Sequence, residues 1–213
     1  MGENVGMREE GIVDVLFEVS GLLRFESEDD FYFLQILQRK KENELLGSNS
    51  RVIKNYYIGS VEYLEDKYDE IKSLCQEFNA RAMLRLNKRS YSKVSFKVLQ
   101  NIANCMSNGD YRNIKSQYDR ACGQTHNDTD KTWIVDIDGD ISDNEVLDMF
   151  TIINNSRPEG PKVITVLPTK DGKHIITRPF EMKQFKEVYP DIDIHKDNPI
   201  NLYIPKFNKY QFK

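Results

Sequence analysis

KTWIVDIDGD, residues 131–140, is the stretch on which the reading of this chain turns. Trp133, Val135 and Ile137 alternate with Ile134, Asp136 and Asp138, the two-residue period of a strand with one apolar face. The other face carries two carboxylates aimed the same way. Gly139 and Asp140 follow as a turn. Ser142-Asp143-Asn144-Glu145 has the form of a capping box, and Val146, Leu147, Phe150 and Ile153 give the next helix its apolar side. Pro158 and Gly160 end it.

Downstream, KVITVLPT and HIITRPF read as two strands joined by a hairpin at Lys170–Lys173, where Asp171-Gly172 supplies the turn. EMKQFKEVY is a short helix with Met182, Phe185 and Tyr189 inward. IDIHKDNPINLYIP closes with two short strands about Asn198-Pro199. Upstream, FYFLQILQRKK from Phe31 and RVIKNYYIG from Arg51 are aromatic and β-branched enough for strands. Val61, Leu64, Tyr68, Ile71, Leu74 and Phe78 form one helical stripe that Ser60 is placed to cap. ARAMLRLNKRS is a strand with Arg81, Met83 and Arg85 on its open side. SYSKVSFKVLQNIANCM is a helix with Val94 or Ser95, Val98, Leu99, Ile102 and Met106 inward. Residues 107–130 are polar and read as a mobile loop with one helical turn about Tyr111–Tyr118.

The expected fold is α/β (α+β): two intimate half-domains, a mixed or antiparallel sheet, and helices packed on it. The halves are 1–120, with a basic segment at 80–120, and 121–213, carrying the acidic motifs. The 213 residues are enough to bury a core without disulfides. The three cysteines include no CxxC pair, which fits reduced thiols in a cytoplasmic protein and argues against a Cys/His zinc site. No apolar run is long enough for a membrane span. The acidic opening lacks the pattern of a secretory signal. Charge is blocked along the chain: −8 over 1–79, +7 over 80–120, −7 over 121–156 and +4 over 157–213. A basic binding face beside an acidic centre follows if those blocks stay separate in space.

Two carboxylates converging on one face of a strand repel. A divalent cation between them and a phosphate oxygen makes the pair cheap to hold, which is why polymerases and nucleases use such pairs. Asp191-Ile192-Asp193 repeats the pattern. Lys170, Gly172 and His174 alternate between the two acidic strands. Lys170 and Lys173 supply charge for a phosphate, Gly172 allows close approach to the backbone, and His174 offers a hydrogen bond.

The set Val135-Asp136-Ile137-Asp138, then Lys170–Ile175, then 191–205 resembles the catalytic core of the archaeo-eukaryotic primase superfamily, especially its primase-polymerase branch. The resemblance covers residues 131–205. It implies a primase-polymerase-like core with catalytic residues Asp136, Asp138, Asp193 and His174. The three aspartates would be ligands for Mg²⁺ or Mn²⁺, and His174 and Lys170 would bind the triphosphate. His195 stands where arginine is common in that family, and Gly172 where serine is. The implied activity is nucleotidyl transfer by a DNA primase or polymerase, acting on nucleoside triphosphates and a DNA or RNA template. Helicase or other replication proteins would be further partners, and a membrane would not be one. Arg85, Lys88, Arg89 and Arg178 are candidates for template or nucleotide contacts.

Two alternatives use the same residues. One is a metal-dependent nuclease or nucleotide hydrolase, with water as nucleophile. The other is a catalytically inactive binding subunit of a mobile-element replication system. A haloacid-dehalogenase-like phosphatase, suggested by residues 136–140 alone, is disfavoured because that family carries its nucleophile near the start of its domain.

Overall fold

The computed structural model describes residues 11–43, 46–47, 49–126, 129–139 and 141–207. The acidic opening, Asp140 of the turn and the last six residues lie outside them. In chain order come β1 (Val13–Asp14), α1 (Leu16–Ser20), β2 (Asp30–Gln38), β3 (Arg51–Ile58), α2 (Val61–Glu77), β4 (Arg81–Arg85), β5 (Arg89–Ser90) and α3 (Tyr91–Ser107). A 3-10 turn, Tyr111–Ser116, leads into α4 (Gln117–Gln124). Then follow β6 (Trp133–Asp138), α5 (Asp143–Asn155), β7 (Val163–Pro168), β8 (Gly172–Thr177), α6 (Met182–Val188), β9 (Asp193–His195) and β10 (Pro199–Ile204).

The strands build two sheets, in which all recorded pairings are antiparallel. The first runs β1-β10-β4-β2-β3, with β5 also on β2, and the second runs β7-β8-β6-β9. The fold is a mixed α/β one, antiparallel sheet packed by helices. The last strand, β10, does not stay with its sequence neighbours. It crosses back to pair with β4 and β1.

Alternation sets the layers. In β2, Tyr32, Leu34 and Ile36 join the main core with Leu64, Tyr68 and Ile71 of α2. Each such fully buried aliphatic contributes about 1.5–3 kcal/mol. Phe31 and Phe33 point the other way, into a small cluster with Val94 of α3 and Ala121 and Cys122 of α4. In β6, Val135 and Ile137 bury against Val146, Met149 and Ile153 of α5 and Phe185 of α6. Ile134, on the opposite face with Leu167 and Ile176, joins the main core of the first sheet. Asp136 and Asp138 therefore share the side of the second sheet that is turned to the first. Ser142 caps α5 with the reciprocal Glu145 bonds of a true capping box.

Two expectations are corrected. Residues 107–130 are not a loop: the 3-10 turn and α4 occupy Tyr111–Gln124, because Ala121 and Cys122 have Phe31 and Phe33 to cover. Leu99 and Met106 do not face inward; they are 65% and 56% exposed, as is Phe96 at 74%. Helix α3 carries two apolar stripes, and the stripe through Val94, Val98 and Asn101 takes the contact with β2 and α4.

Candidate functional site

The site grows from the register of three strands. Asp136 of β6 stands directly opposite His174 of β8 and directly opposite Asp193 of β9. Directly paired residues share a face, so all three side chains stand on one side, with Asp138 two residues along and opposite Gly172. Around Asp136, Asp138 and His174 that side borders a cleft of about 480 Å³ with residues of both sheets in its walls, and Asp193 lies outside that lining. One wall holds Asp136, Asp138, Thr169, Lys170, Asp171 and His174. The other comes from the first sheet: Arg39 and Lys41 beyond β2, Glu42, Arg81 of β4 and Asn201 of β10.

Asp136 is held between two imidazoles. His174 Nε2 lies 3.1 Å from its Oδ1 and His195 Nε2 lies 3.5 Å from its Oδ2. The hydrogen bond from His174 lowers the carboxyl below its usual range, and this outweighs the partial burial that pushes it up. Asp136 is thus ionised across the neutral range. Asp138 and Asp193 are exposed. His174 is buried and lines the cleft, with Nε2 turned to Asp136.

The donor set suits a hard divalent cation, since it consists of carboxylates from two adjacent strands. Cβ atoms of directly opposed residues are about 4.5–5.5 Å apart, so Asp193 and Asp136 are within reach of a shared ion by side-chain rotation alone. Among the described residues, no three acidic, histidine or cysteine side chains already stand close enough to share one. Asp136 is turned to its histidines instead.

The basic candidates divide sharply. Lys170 borders the cleft, its ammonium 5.2 Å from the Phe207 ring centroid. Lys173 does not: it alternates away from His174 and meets Asp143 at 3.2 Å on the α5 side. Arg178 lies past the far end of β8, four residues and about 13 Å of strand from His174. Lys88 is buried between Asp30 and Glu26, at 3.1 and 3.0 Å. Arg89 is 0% exposed and bonds the carbonyls of Asn87 and Cys122 and, at 2.7 Å, Asp197 Oδ2. Arg85 bonds the same Asp197. These three, expected to touch nucleic acid, are internal ties: Arg85 and Arg89 share Asp197, Lys88 is held by Asp30 and Glu26, and β5 is sewn into the first sheet against Asp30 and Phe31. Gly172 is also re-explained. A Cβ there would meet Ile137 O at 1.9 Å, so the close approach that needs glycine is that of strand β6, not of a phosphate.

Arg39, Lys41, Thr169 and Asn201 were not singled out from the sequence, and Arg81 was placed only on the open side of its strand. The run Arg39-Lys40-Lys41 at the end of an apolar strand was the available signal. Asn201 had none, since only the return of β10 to the first sheet brings it near Asp136.

Compared with known proteins, the chain matches no family model, and no curated protein and no solved structure is significantly similar to it. No helix among the described residues is long and apolar enough to cross a membrane.

Proposed function

We propose that the chain is a divalent-metal-dependent nucleotidyltransferase of the primase-polymerase kind, acting on nucleoside triphosphates and a nucleic-acid strand. The observation that carries this reading is the register: His174 and Asp193 each stand directly opposite Asp136, and Asp138 lies two residues along on the same face. Asp136, Asp138 and Asp193 are the ligands for Mg²⁺ or Mn²⁺. A bound divalent cation supplies polarisation of an attacking hydroxyl and neutralisation of the leaving pyrophosphate. Lys170, at the cleft mouth, attracts the triphosphate. His174 fixes the direction of the Asp136 carboxylate and keeps it ionised. Arg39 and Lys41, on the facing wall, have no ion pair among the described residues and are free to meet phosphate.

The test incubates the full chain with a labelled primer-template, the four deoxynucleoside triphosphates and Mn²⁺. Extension by the wild type and its loss in Asp136→Ala is the expected result. A shortened primer favours the nuclease reading, and an untouched primer overturns nucleotidyl transfer.

A further inference from the structure

The cleft is not isolated. Asn201 of β10 is paired with Met83 of β4, Met83 with Gln35 of β2, and Gln35 with Asn55 of β3. These four residues form one transverse row on one face of the first sheet, and each is only partly buried. Gln35 Nε2 donates to Asn55 Oδ1 at 3.0 Å. At one end, Asn201 borders the acidic cleft. At the other, Gln35 and Asn55 border a second cavity of about 560 Å³, whose far side is Ser116, Asp119 and Arg120. Three interstrand steps separate the row's ends, about 14 Å.

Charge follows the same line. Of the cations in 80–120, Arg81, Arg85, Lys88 and Arg89 are neutralised internally by Glu42, Asp197, Asp30 and Glu26. Arg112, Lys115 and Arg120, on the 3-10 turn and α4, are exposed and have no ion pair among the described residues. At the cleft end, Lys41 is exposed and Arg39 half-buried, and neither has an ion pair among the described residues. Free positive charge thus flanks both ends of a floor made of three amides and a thioether.

We infer that this row is the floor of a binding track for one strand of nucleic acid, running from the acidic cleft to Arg120. Phosphates meet the cations at the two ends. The amides of Asn201, Gln35 and Asn55 hydrogen-bond base edges, and Met83 gives a base an apolar contact. A duplex is disfavoured, because its two backbones need two cationic tracks and the face has one. A peptide added as a strand would use a sheet edge rather than this face. The inference deepens the transfer reading and rests on it for the strand's end at Asp136; binding itself does not require catalysis.

The experiment measures fluorescence anisotropy of a labelled single-stranded DNA oligonucleotide with the full chain, in EDTA and across a salt series. Circular dichroism checks each variant's fold. Arg120→Glu and Gln35→Glu should each weaken binding by about tenfold, and Arg120→Glu should lower the salt slope by about 0.7, the loss of one phosphate contact to a single strand. Unchanged affinity in both folded track variants, or a duplex bound as tightly as the single strand, overturns the track. Loss of affinity in the track variants beside a wild type that never extends a primer keeps the track and removes the transfer reading.

Discussion

Asp193 stands directly across the sheet from Asp136, the exposed carboxylate beside the one held by two histidines. The pair is asymmetric. Asp136 faces an imidazole at each oxygen, whereas Asp193 is exposed and has no ion pair among the described residues. Asp193→Asn should leave the thermal midpoint unchanged or raise it, yet lower Mn²⁺-dependent nucleotide binding by more than the ~10–100-fold typical of losing an outer-shell partner. Calorimetric titration of nucleotide with Mn²⁺ reads the affinity, and equal values for variant and wild type would remove Asp193 from the metal set.

Gly172 faces Ile137 O at a distance that admits no Cβ. Gly172→Ala must push β8 away from β6 at the level of Asp138. Overpacking of this kind costs about 1–3 kcal/mol, and the strain falls beside the site. Urea denaturation should register that loss. A variant as stable as the wild type would show that β8 and β6 admit a Cβ at this position without cost.

Asp197 neutralises a fully buried guanidinium, Arg89, and at the same time bonds Arg85. Asn87 joins the same knot, donating to Lys196 O at 2.9 Å and to Thr132 O at 3.1 Å. The loop before β10 is thereby tied to the first sheet and to the start of β6. Asp197→Ala leaves Arg89 buried without its partner and should cost about 3–5 kcal/mol. A loss under 1 kcal/mol by denaturant titration would show that Arg89 finds water.

Much of this architecture was readable locally. Strand β6 announces itself by strict alternation, α5 by its capping box, and the β7–β8 hairpin by Asp171-Gly172, all short-range signals. That Asp136 and Asp138 share a face was readable for the same reason, since a two-residue period fixes it within one strand, whereas His174 and Asp193 were joined to them by the family resemblance and the shared face comes from the strand register. Helix α3 was not, because Leu99 and Met106 fit an inward stripe as well as Val94 and Val98 do. Only the position of Phe31 and Phe33 decides between them. The fates of Arg85, Lys88 and Arg89 were hidden too. Their partners Asp30 and Asp197 are distant in sequence, so a basic run that looks like a binding surface is consumed in holding the fold.

The outward stripe of α3 makes a simple check. Leu99 loses little contact on substitution, so Leu99→Lys should change stability by no more than about 0.5 kcal/mol, the range of ordinary surface positions. A large loss by thermal melting would mean that the stripe is covered, by another molecule or by a different packing of α3.

Acid should loosen the first sheet at Asp30. Burial pushes this carboxyl up, but the Glu26 N–H, the Lys88 ammonium and the Ser27 N–H together hold it below its usual range. A carboxyl whose folded pKa lies below its unfolded value binds its proton more weakly when folded. Its contribution is complete above the unfolded value, about 3.9, and disappears as pH falls through the folded one. Asp30→Asn removes that contribution at neutral pH and leaves Lys88 with Glu26 alone. The variant should therefore be less stable than the wild type at pH 7, with the gap closing toward pH 3. Denaturation curves at both pH values measure the gap, and one that stays constant over that interval would show that folding does not lower the Asp30 carboxyl below its unfolded value.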